Sequence, residues 1–165
     1  MKSPLIYLSL GSNLGNRQMN LKKALRKLPK KEIYLLKNSS IYETEPIEFT
    51  EQPHFLNLVC AVQSTLNPAD ILNVCHQIES AMGRIHQENK GPRCIDIDIL
   101  FYGRSILNLP KLKIPHPALH RRNFVLIPLQ EIASDFRDPL TGKTVKQLVV
   151  ESVDQSEVKR WVLPD

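Results

Sequence analysis

The sequence has 165 residues, of which 42% are hydrophobic and 24% charged, and its formal net charge is +5. One globular domain over residues 1–165 is expected, because a single core usually takes about 100–200 residues. No segment reaches the ~18 uncharged apolar residues of a membrane span, and the first residues lack the cleavage site of a signal peptide, so we expect a cytoplasmic protein with no membrane contact.

The first half of the chain alternates between strand and helix patterns. Residues 4–11 alternate as a strand and lead into the turn-rich stretch GSNLGN. Asn16 can cap the helix that follows, on which one face carries Leu21, Ala24, Leu25 and Leu28. Residues 33–42 and 55–65 predict two further strands, with the polar loop ETEPIEFTEQP between them.

The second half repeats this alternation. An N-cap Asn67 followed by Pro68 predicts a helix that ends near Gly83. The polar loop RIHQENKGP leads to the strand RCIDIDILFY at residues 93–102, and residues 122–133 predict another helix, whereas the last thirty residues give weak signals. The order β-α-β-β-α-β predicts a ferredoxin-like α+β sandwich, with helices on one face of a largely antiparallel sheet.

Positive charge is concentrated in one part of the chain. Residues 80–122 hold eight Lys or Arg residues against three acids, which accounts for the whole net charge. A basic concentration of this kind indicates a polyanionic partner, either a nucleotide triphosphate or a nucleic acid. The three cysteines, Cys60, Cys75 and Cys94, have no metal-binding or disulfide spacing and are expected to be buried free thiols.

Two aspartates interrupt the apolar strand RCIDIDILFY. Side chains at i and i+2 leave the same face of a strand, so Asp96 and Asp98 point together while the isoleucines between and beside them enter the core. Their mutual repulsion calls for a cation. Arginine ion pairs, for instance with Arg93, are one solution; two acids in register beside a basic loop favour a metal, and hard oxygen ligands favour magnesium over zinc.

Metal-bound acids in a basic region predict phosphoryl-type transfer, in which catalysis is largely positioning and charge stabilisation. Neither G-x-x-x-x-G-K-[ST] nor G-x-G-x-x-G occurs, so the nucleotide site is of another design. An RNA-binding module of similar fold is an alternative, but the chain lacks the aromatic strand motif of that class. A regulatory small-molecule-binding domain is a third interpretation.

Four segments carry a resemblance to a known family. GSNLGN, HFLNLV, GPRCIDIDIL and IPHPALHRRNFVLIPL, in this order, resemble 6-hydroxymethyl-7,8-dihydropterin pyrophosphokinase of folate biosynthesis over roughly residues 5–133. GPR-x-x-D-x-D is the most specific of these motifs. The resemblance implies transfer of pyrophosphate from ATP to the hydroxymethyl group of the pterin, leaving AMP, with no nucleic-acid partner; we expect a monomer.

The resemblance also implies roles for individual residues. Asp96 and Asp98 match the acids that hold two Mg²⁺ ions on the ATP phosphates, and with Arg84 and Arg93 they form the expected catalytic set. The expected ATP-binding residues are basic side chains, whose charge suits phosphate: Arg84, Arg93, Lys111, Lys113, His116 and Arg122. On position alone, Arg84 could instead be a cation at a helix C-terminus, and His116 could merely pack between its prolines.

The pterin ring calls for aromatic faces and a group that donates and accepts hydrogen bonds. Phe55 and Phe124 match the stacking pair of the family and Asn57 its amide, while Thr44 and Ile47 match the loop that lines the same pocket. An asparagine inside the strand pattern FLNLVCAV is also a buried polar group that needs partners, which a ligand edge could supply.

Overall fold

A computed structural model describes residues 3–46, 51–84 and 91–162. Within these ranges the helices are Arg17–Lys27 (α1), Pro68–Ala81 (α2), Asn123–Ala133 (α3) and Val145–Glu151 (α4). The strands are Leu5–Ser12 (β1), Tyr34–Asn38 (β2), Tyr42–Thr44 (β3), Phe55–Gln63 (β4), Asp96–Tyr102 (β5), Leu107–Leu109 (β6), Leu112–Ile114 (β7) and Val158–Arg160 (β8). Of the predicted site residues, Ile47 lies outside the described ranges.

The main sheet confirms the predicted fold class. Its strand order is β5-β1-β4-β3-β8, with β2 also paired to β4, and every pairing is antiparallel. Strand β1 thus lies between β4 and β5, the two strands that α2 connects. This is the arrangement of the ferredoxin-like β-α-β-β-α-β unit.

The two predicted helix starts are confirmed. The Asn16 side chain accepts a hydrogen bond from the backbone N–H of Met19, and the Asn67 side chain accepts one from Asp70. Each cap satisfies an N–H group that has no partner inside its helix. Helices α1 and α2 then bury their apolar faces against β1, β4 and β5 in one core.

The prediction of helices on one face of the sheet is confirmed for α1 and α2 but does not extend to the later helices. Helices α3 and α4 cover the opposite face, where Leu126, Leu129 and Leu148 pack with sheet residues such as Val59 and Phe101. The sheet therefore lies between two helical layers. We call the side covered by α3 and α4 the α3 face.

The single strand predicted at residues 33–42 is two strands, and residues 39–41 between them keep one backbone bond to β4, from the Ser39 N–H to the Val59 carbonyl over 2.8 Å. Ser39 is buried, and its hydroxyl donates to the Ser40 carbonyl and accepts the N–H of Val59. The backbone N–H of Ser40 donates to the Glu131 carboxylate on α3. Side-chain hydrogen bonds of this kind compete with strand pairing and end β2 at Asn38.

The last thirty residues contain structure that the sequence pattern did not predict. Thr144 and Gln147 form a capping box at the start of α4. Strand β8 extends the sheet beyond β3, with Thr44 opposite Val158 and Tyr42 opposite Arg160. Across the described ranges, no helix has the length and apolarity to span a bilayer.

The expectation of buried free thiols is confirmed for two of the three cysteines. Cys60 and Cys75 are buried free thiols, and burial raises the pKa of Cys60 to about 12. Cys94 is half-buried, and its thiol donates to the Met82 carbonyl. These thiols are therefore packing groups in the fold.

Candidate active site

The site lies where α3 leaves one end of the sheet uncovered. On the α3 face, β4 presents Val59 and Ala61 to the helices but Asn57 to a cavity. In the neighbouring strands, Ser9 lies opposite Asp98, and Gly11 lies opposite both Asp96 and Asn57. Small and polar residues thus replace the apolar ones at this end, so α3 cannot pack here and a cavity remains.

The paired aspartates leave β5 on the predicted face. Both Asp96 and Asp98 line this cavity, while Ile95, Ile97 and Ile99 belong to the core beneath α1 and α2. The ladder begins at Asp96, so the preceding residues 93–95 lie outside the strand that was predicted from residue 93. The two carboxylates are thus held by an edge strand rather than by a loop.

The first cavity gathers the described residues that were predicted to bind pterin. It is partly open to solvent, and Thr44, Phe55, Asn57 and Phe124 line it. Its remaining lining is polar and comes from several elements: Ser9, Gly11, Glu45, Gln52, Arg93, Asp96, Asp98 and Arg122. Aromatic walls with a few polar groups are typical of a site for a flat, hydrogen-bonding ligand.

Asn57 is oriented by the strands on both sides of it. The side chain is 3% exposed, and its amide nitrogen donates to the Thr44 hydroxyl over 2.7 Å. On the other side, a Cβ at Gly11 would lie 2.8 Å from the Asn57 Oδ1 atom, closer than real Cβ contacts allow. The absence of a side chain at Gly11 therefore lets the amide stand upright in the cavity.

Each aromatic wall of the cavity carries an arginine. The Arg93 guanidinium lies 4.9 Å from the centre of the Phe55 ring, and that of Arg122 lies 5.6 Å from the centre of the Phe124 ring. These are cation–π contacts, which favour arginine because its plane stacks on a ring. Two of the predicted ATP-binding residues therefore line the same cavity as the predicted pterin-binding residues.

The other four predicted ATP-binding residues gather in a second, open cavity along the edge of β5. Arg84, Lys111, Lys113 and His116 line it, and Asp98 lines both cavities. The backbone N–H of Ala118 donates to Nδ1 of His116, which places the proton of the neutral ring on Nε2. Asp98 thus stands between an aromatic cavity and a basic one.

Arg84 connects the end of α2 to the aspartate pair. Its guanidinium donates to the Glu79 carboxylate and, over 2.6 Å, to Asp96 Oδ1, while Arg93 Nε lies 3.5 Å from Asp96 Oδ2. Of the two aspartates, Asp96 is therefore the one that forms the expected ion pairs with arginine. Glu79 was missed by the sequence analysis, because on α2 it reads as an ordinary polar helix residue.

Glu79 is buried and strongly perturbed. Burial raises the pKa of Glu79 to about 7, although Arg84 acts in the opposite direction. The carboxylate also accepts the N–H of Ile97 over 3.2 Å. A buried acid that holds both an arginine and the aspartate strand fixes their relative positions.

Asp98 is the least compensated acid of the site. Burial, followed by the repulsion of Asp96, raises the pKa of Asp98 to about 7, and Arg122 only partly offsets this. Among the residues that the structure describes, no three His, Cys, Asp or Glu side chains gather as a metal cage. Two carboxylates with room for further oxygens fit Mg²⁺, which usually keeps positions for water and substrate phosphate.

Asn13 is a second residue that the sequence analysis missed. It is 1% exposed, its side-chain oxygen accepts the N–H of Arg93, and its amide nitrogen donates to Gln52 and to the Pro53 carbonyl. The GSNLGN turn thereby joins the segment before Phe55 to the segment before the aspartates. A buried polar residue in a turn has no periodic pattern that would reveal this link.

Fold and site together define a ferredoxin-like α+β protein in which an aromatic cavity adjoins a basic one at a pair of aspartates. The family model described as 7,8-dihydro-6-hydroxymethylpterin-pyrophosphokinase (HPPK) matches residues 7–134. The chain belongs to this family.

Similar proteins include one of comparable length and one that is much longer. The 2-amino-4-hydroxy-6-hydroxymethyldihydropteridine pyrophosphokinase of Bacillus subtilis is 35% identical over 158 residues, which are 95% of this chain and 90% of that protein. The folic acid synthesis protein fol1 of Pneumocystis carinii is 46% identical over 90% of this chain, which spans 20% of that protein. The chain thus spans about a fifth of fol1, whose remaining length it does not match.

Solved structures support the fold. The crystal structure of wild-type Plasmodium falciparum HPPK-DHPS superposes with a TM-score of 0.71 at 16% identity, covering 91% of this chain and 45% of that chain. Another HPPK-DHPS, solved in complex with substrates, gives a TM-score of 0.72 at 14% identity. At these identities the likeness concerns the fold alone.

Proposed function

We propose that this chain transfers pyrophosphate from ATP to the hydroxymethyl group of 6-hydroxymethyl-7,8-dihydropterin, releasing AMP, as one domain over residues 1–165. The observation that carries the proposal is the position of Asp98 between two cavities of different chemistry. Membership of the family also supports the proposal, because the name of the Bacillus subtilis relative describes a pyrophosphokinase of this kind.

The first cavity suits the pterin. Phe55 and Phe124 offer the aromatic faces between which a flat bicyclic ring stacks, and Asn57 can donate to and accept from its amide-like edge. Thr44 holds the Asn57 amide nitrogen and so fixes which way the amide points. The chain thereby orients the ring with its substituent toward the aspartates.

The second cavity suits the triphosphate. Lys111, Lys113 and His116 supply donors along the edge of β5, and Arg84 adds a charge that Glu79 and Asp96 hold in place. Arg93 and Arg122 reach the same phosphates from the pterin side. Fixed positive groups at the transferred unit stabilise the charge that develops there.

The residues present fit two Mg²⁺ ions, with Asp96 and Asp98 as the protein ligands. Bound there, the ions would neutralise the phosphate oxygens and polarise the phosphorus that is attacked. The raised pKa of Asp98 supports the presence of a cation, because a nearby positive charge would restore its ionised form. The ion pair of Arg84 with Asp96 would then belong to the ligand-free protein.

In the reaction, the hydroxymethyl oxygen of the pterin attacks the β-phosphorus of ATP. The bond between that phosphorus and the oxygen of the α-phosphate breaks, AMP leaves with the bond electrons, and the hydroxyl proton is released. The chain contributes mainly by holding the two substrates in line, which in phosphoryl transfer supplies most of the catalysis.

The test is an assay of the purified protein with ATP, Mg²⁺ and 6-hydroxymethyl-7,8-dihydropterin, in which AMP and ADP are separated by chromatography. We expect AMP in amounts equal to the pterin diphosphate, only when pterin and Mg²⁺ are both present. ADP as the product would indicate an ordinary kinase, and no nucleotide turnover would contradict the proposal. We also propose that the enzyme acts as a monomer in the cytoplasm, which gel filtration and cell fractionation can check.

A further inference from the structure

Helix α3 begins without a cap of its own. The capping position is occupied by Arg122, whose side chain makes no hydrogen bond to the helix N-terminus. Helices prefer Ser, Thr, Asp or Asn here, because a side-chain oxygen satisfies a free N–H group. Arg122 instead lines the first cavity with its guanidinium over Phe124, so this position serves the site rather than the helix.

The missing cap comes from residue 154, near the end of the chain. The Asp154 carboxylate accepts the backbone N–H of Asn123 over 2.8 Å, and the Asp154 carbonyl accepts the Asn123 side-chain amide over 2.8 Å. Ser156 in turn donates its N–H and its hydroxyl to the other carboxylate oxygen, over 2.8 and 2.6 Å. Asp154 therefore has a fixed orientation toward the start of α3.

The segment that carries Asp154 also contacts the opposite wall of the cavity. We call residues 152–161 the C-terminal segment. Its strand β8 pairs with β3, whose last residue Thr44 holds Asn57. Trp161 lies under Arg17, 5.1 Å from the guanidinium carbon, and Arg17 donates to the His54 carbonyl next to Phe55.

We propose that Asp154 is a positioning residue of the pterin site, which caps α3 so that Phe124 and Arg122 keep their places opposite the β3–β4 wall. This inference rests on the proposed function. An anionic oxygen at a helix N-terminus gains from both the free N–H group and the helix dipole. Without it, the first turn of α3 can fray. Binding of the pterin would then have to order that turn, which lowers the affinity for the pterin.

The test compares Asp154→Ala with Asp154→Asn and with Glu157→Ala. Asp154→Asn keeps an oxygen that can accept the Asn123 N–H. Glu157→Ala removes an exposed carboxylate of the same segment that pairs only loosely, 3.6 Å from Lys159. For each protein we would measure KM for the pterin and for ATP, and the fluorescence of Trp161, the only tryptophan in the chain.

We expect Asp154→Ala to raise KM for the pterin about fivefold, the factor that corresponds to a cap of about 1 kcal/mol. KM for ATP should rise less, by about twofold at most, because Arg122 is one of six basic side chains proposed to bind the phosphates and the other five do not depend on the start of α3. Asp154→Asn should restore part of the pterin affinity, because its single amide oxygen can accept the Asn123 N–H while its NH2 group then meets the Ser156 donors. Glu157→Ala should behave as wild type. Unchanged Trp161 emission in Asp154→Ala would show that the C-terminal segment stays docked and that the loss comes from the cap.

Three results would overturn the inference: an unchanged pterin KM in Asp154→Ala, an equal rise of KM for both substrates, or a failure of Asp154→Asn to restore any affinity. If wild type still turns over, these results leave the proposed function intact. No turnover by wild type would overturn both. If Asp154→Ala does not fold, Ser156→Ala replaces it, since it removes one hydrogen bond from Asp154. It should raise the pterin KM about twofold, and no change would overturn the inference.

Discussion

The two cavities that meet at Asp98 are built in opposite ways. The first lies on a face of the sheet, between regular strands and α3, and its key amide is held by neighbours on both sides. The second runs along the sheet edge, where Arg84, Lys111 and Lys113 contribute long charged side chains to its lining. A rigid cavity can select a ring by shape, whereas an open basic edge attracts phosphate by charge.

The largest effect is expected where the two cavities join. Asp98→Asn and Asp96→Asn should each lower kcat by about 10³ or more, because both acids are proposed to hold the metal ions that stabilise the transferred phosphates. Circular dichroism should show folded protein. Asp70→Asn, an exposed acid in the first turn of α2, is the control. Near wild-type turnover in both site variants would contradict the metal assignment.

The next effect separates the cavities by substrate. Asn57→Ala should raise KM for the pterin about 10–100-fold, because it removes the paired hydrogen bonds to the ring edge. Lys113→Ala should do the reverse, with a rise of about fivefold for ATP alone, as expected for one exposed charge. Steady-state kinetics with each substrate varied in turn measures both. Parallel changes in the two KM values would mean that the cavities do not divide the substrates.

A smaller effect tests the shape of the first cavity. Gly11→Ala would place a Cβ 2.8 Å from the Asn57 Oδ1 atom and should push the amide aside. We expect KM for the pterin to rise about tenfold, a loss of about 1.4 kcal/mol, while KM for ATP stays within about twofold. Gly142→Ala, at an exposed turn with φ of +72°, is the control for backbone strain. An unchanged KM for the pterin in Gly11→Ala would show that the Asn57 side chain can shift without loss of its contacts to the pterin.

The smallest effect concerns stability without metal. In the folded chain the pKa of Asp98 is raised to about 7, whereas an unfolded aspartate titrates near about 3.9. The folded state therefore binds this proton more tightly, and the free energy of unfolding falls as pH rises from about 4 to 7.

Above that range the buried charge is fully present in the metal-free protein, and Asp98→Asn removes it. In EDTA at pH 8 we expect the variant to melt about 2–4 °C above wild type, as about 1 kcal/mol would give at this length. The difference should shrink at pH 5, where Asp98 is protonated in the fold. A lower melting temperature of the variant at pH 8 would mean that the Asp98 charge is well compensated by the protein itself.

Sequence patterns revealed the fold wherever side-chain periodicity reflects burial. Strand β4 and helix α2 could be predicted because apolar residues recur at the period of each element, and Asn67 followed by Pro68 marked the start of α2. The predictions failed where hydrogen bonds of polar side chains determine the structure. Ser39 and Ser40 break a strand through their own hydrogen bonds, and β8 has three residues, too few for a pattern.

The site shows the same limit. Asp96, Asp98 and Asn57 could be singled out because a polar residue inside an apolar strand is costly and therefore noticeable. Asn13, Glu79 and Asp154 could not, since polar residues are ordinary in turns, on helices and near chain ends. Their importance comes from partners that are 80, 18 and 31 residues away. Only the folded chain brings those partners together.

The most direct test is to count metal ions in the assembled site by electron paramagnetic resonance of Mn²⁺. The sample would contain the protein, the pterin and α,β-methylene-ATP, whose bond between the α and β phosphates cannot be cleaved. We expect two bound ions per chain for wild type and at most one for Asp96→Asn and Asp98→Asn. A single ion in wild type, or two in both variants, would contradict the claim that the paired aspartates of β5 form a metal site.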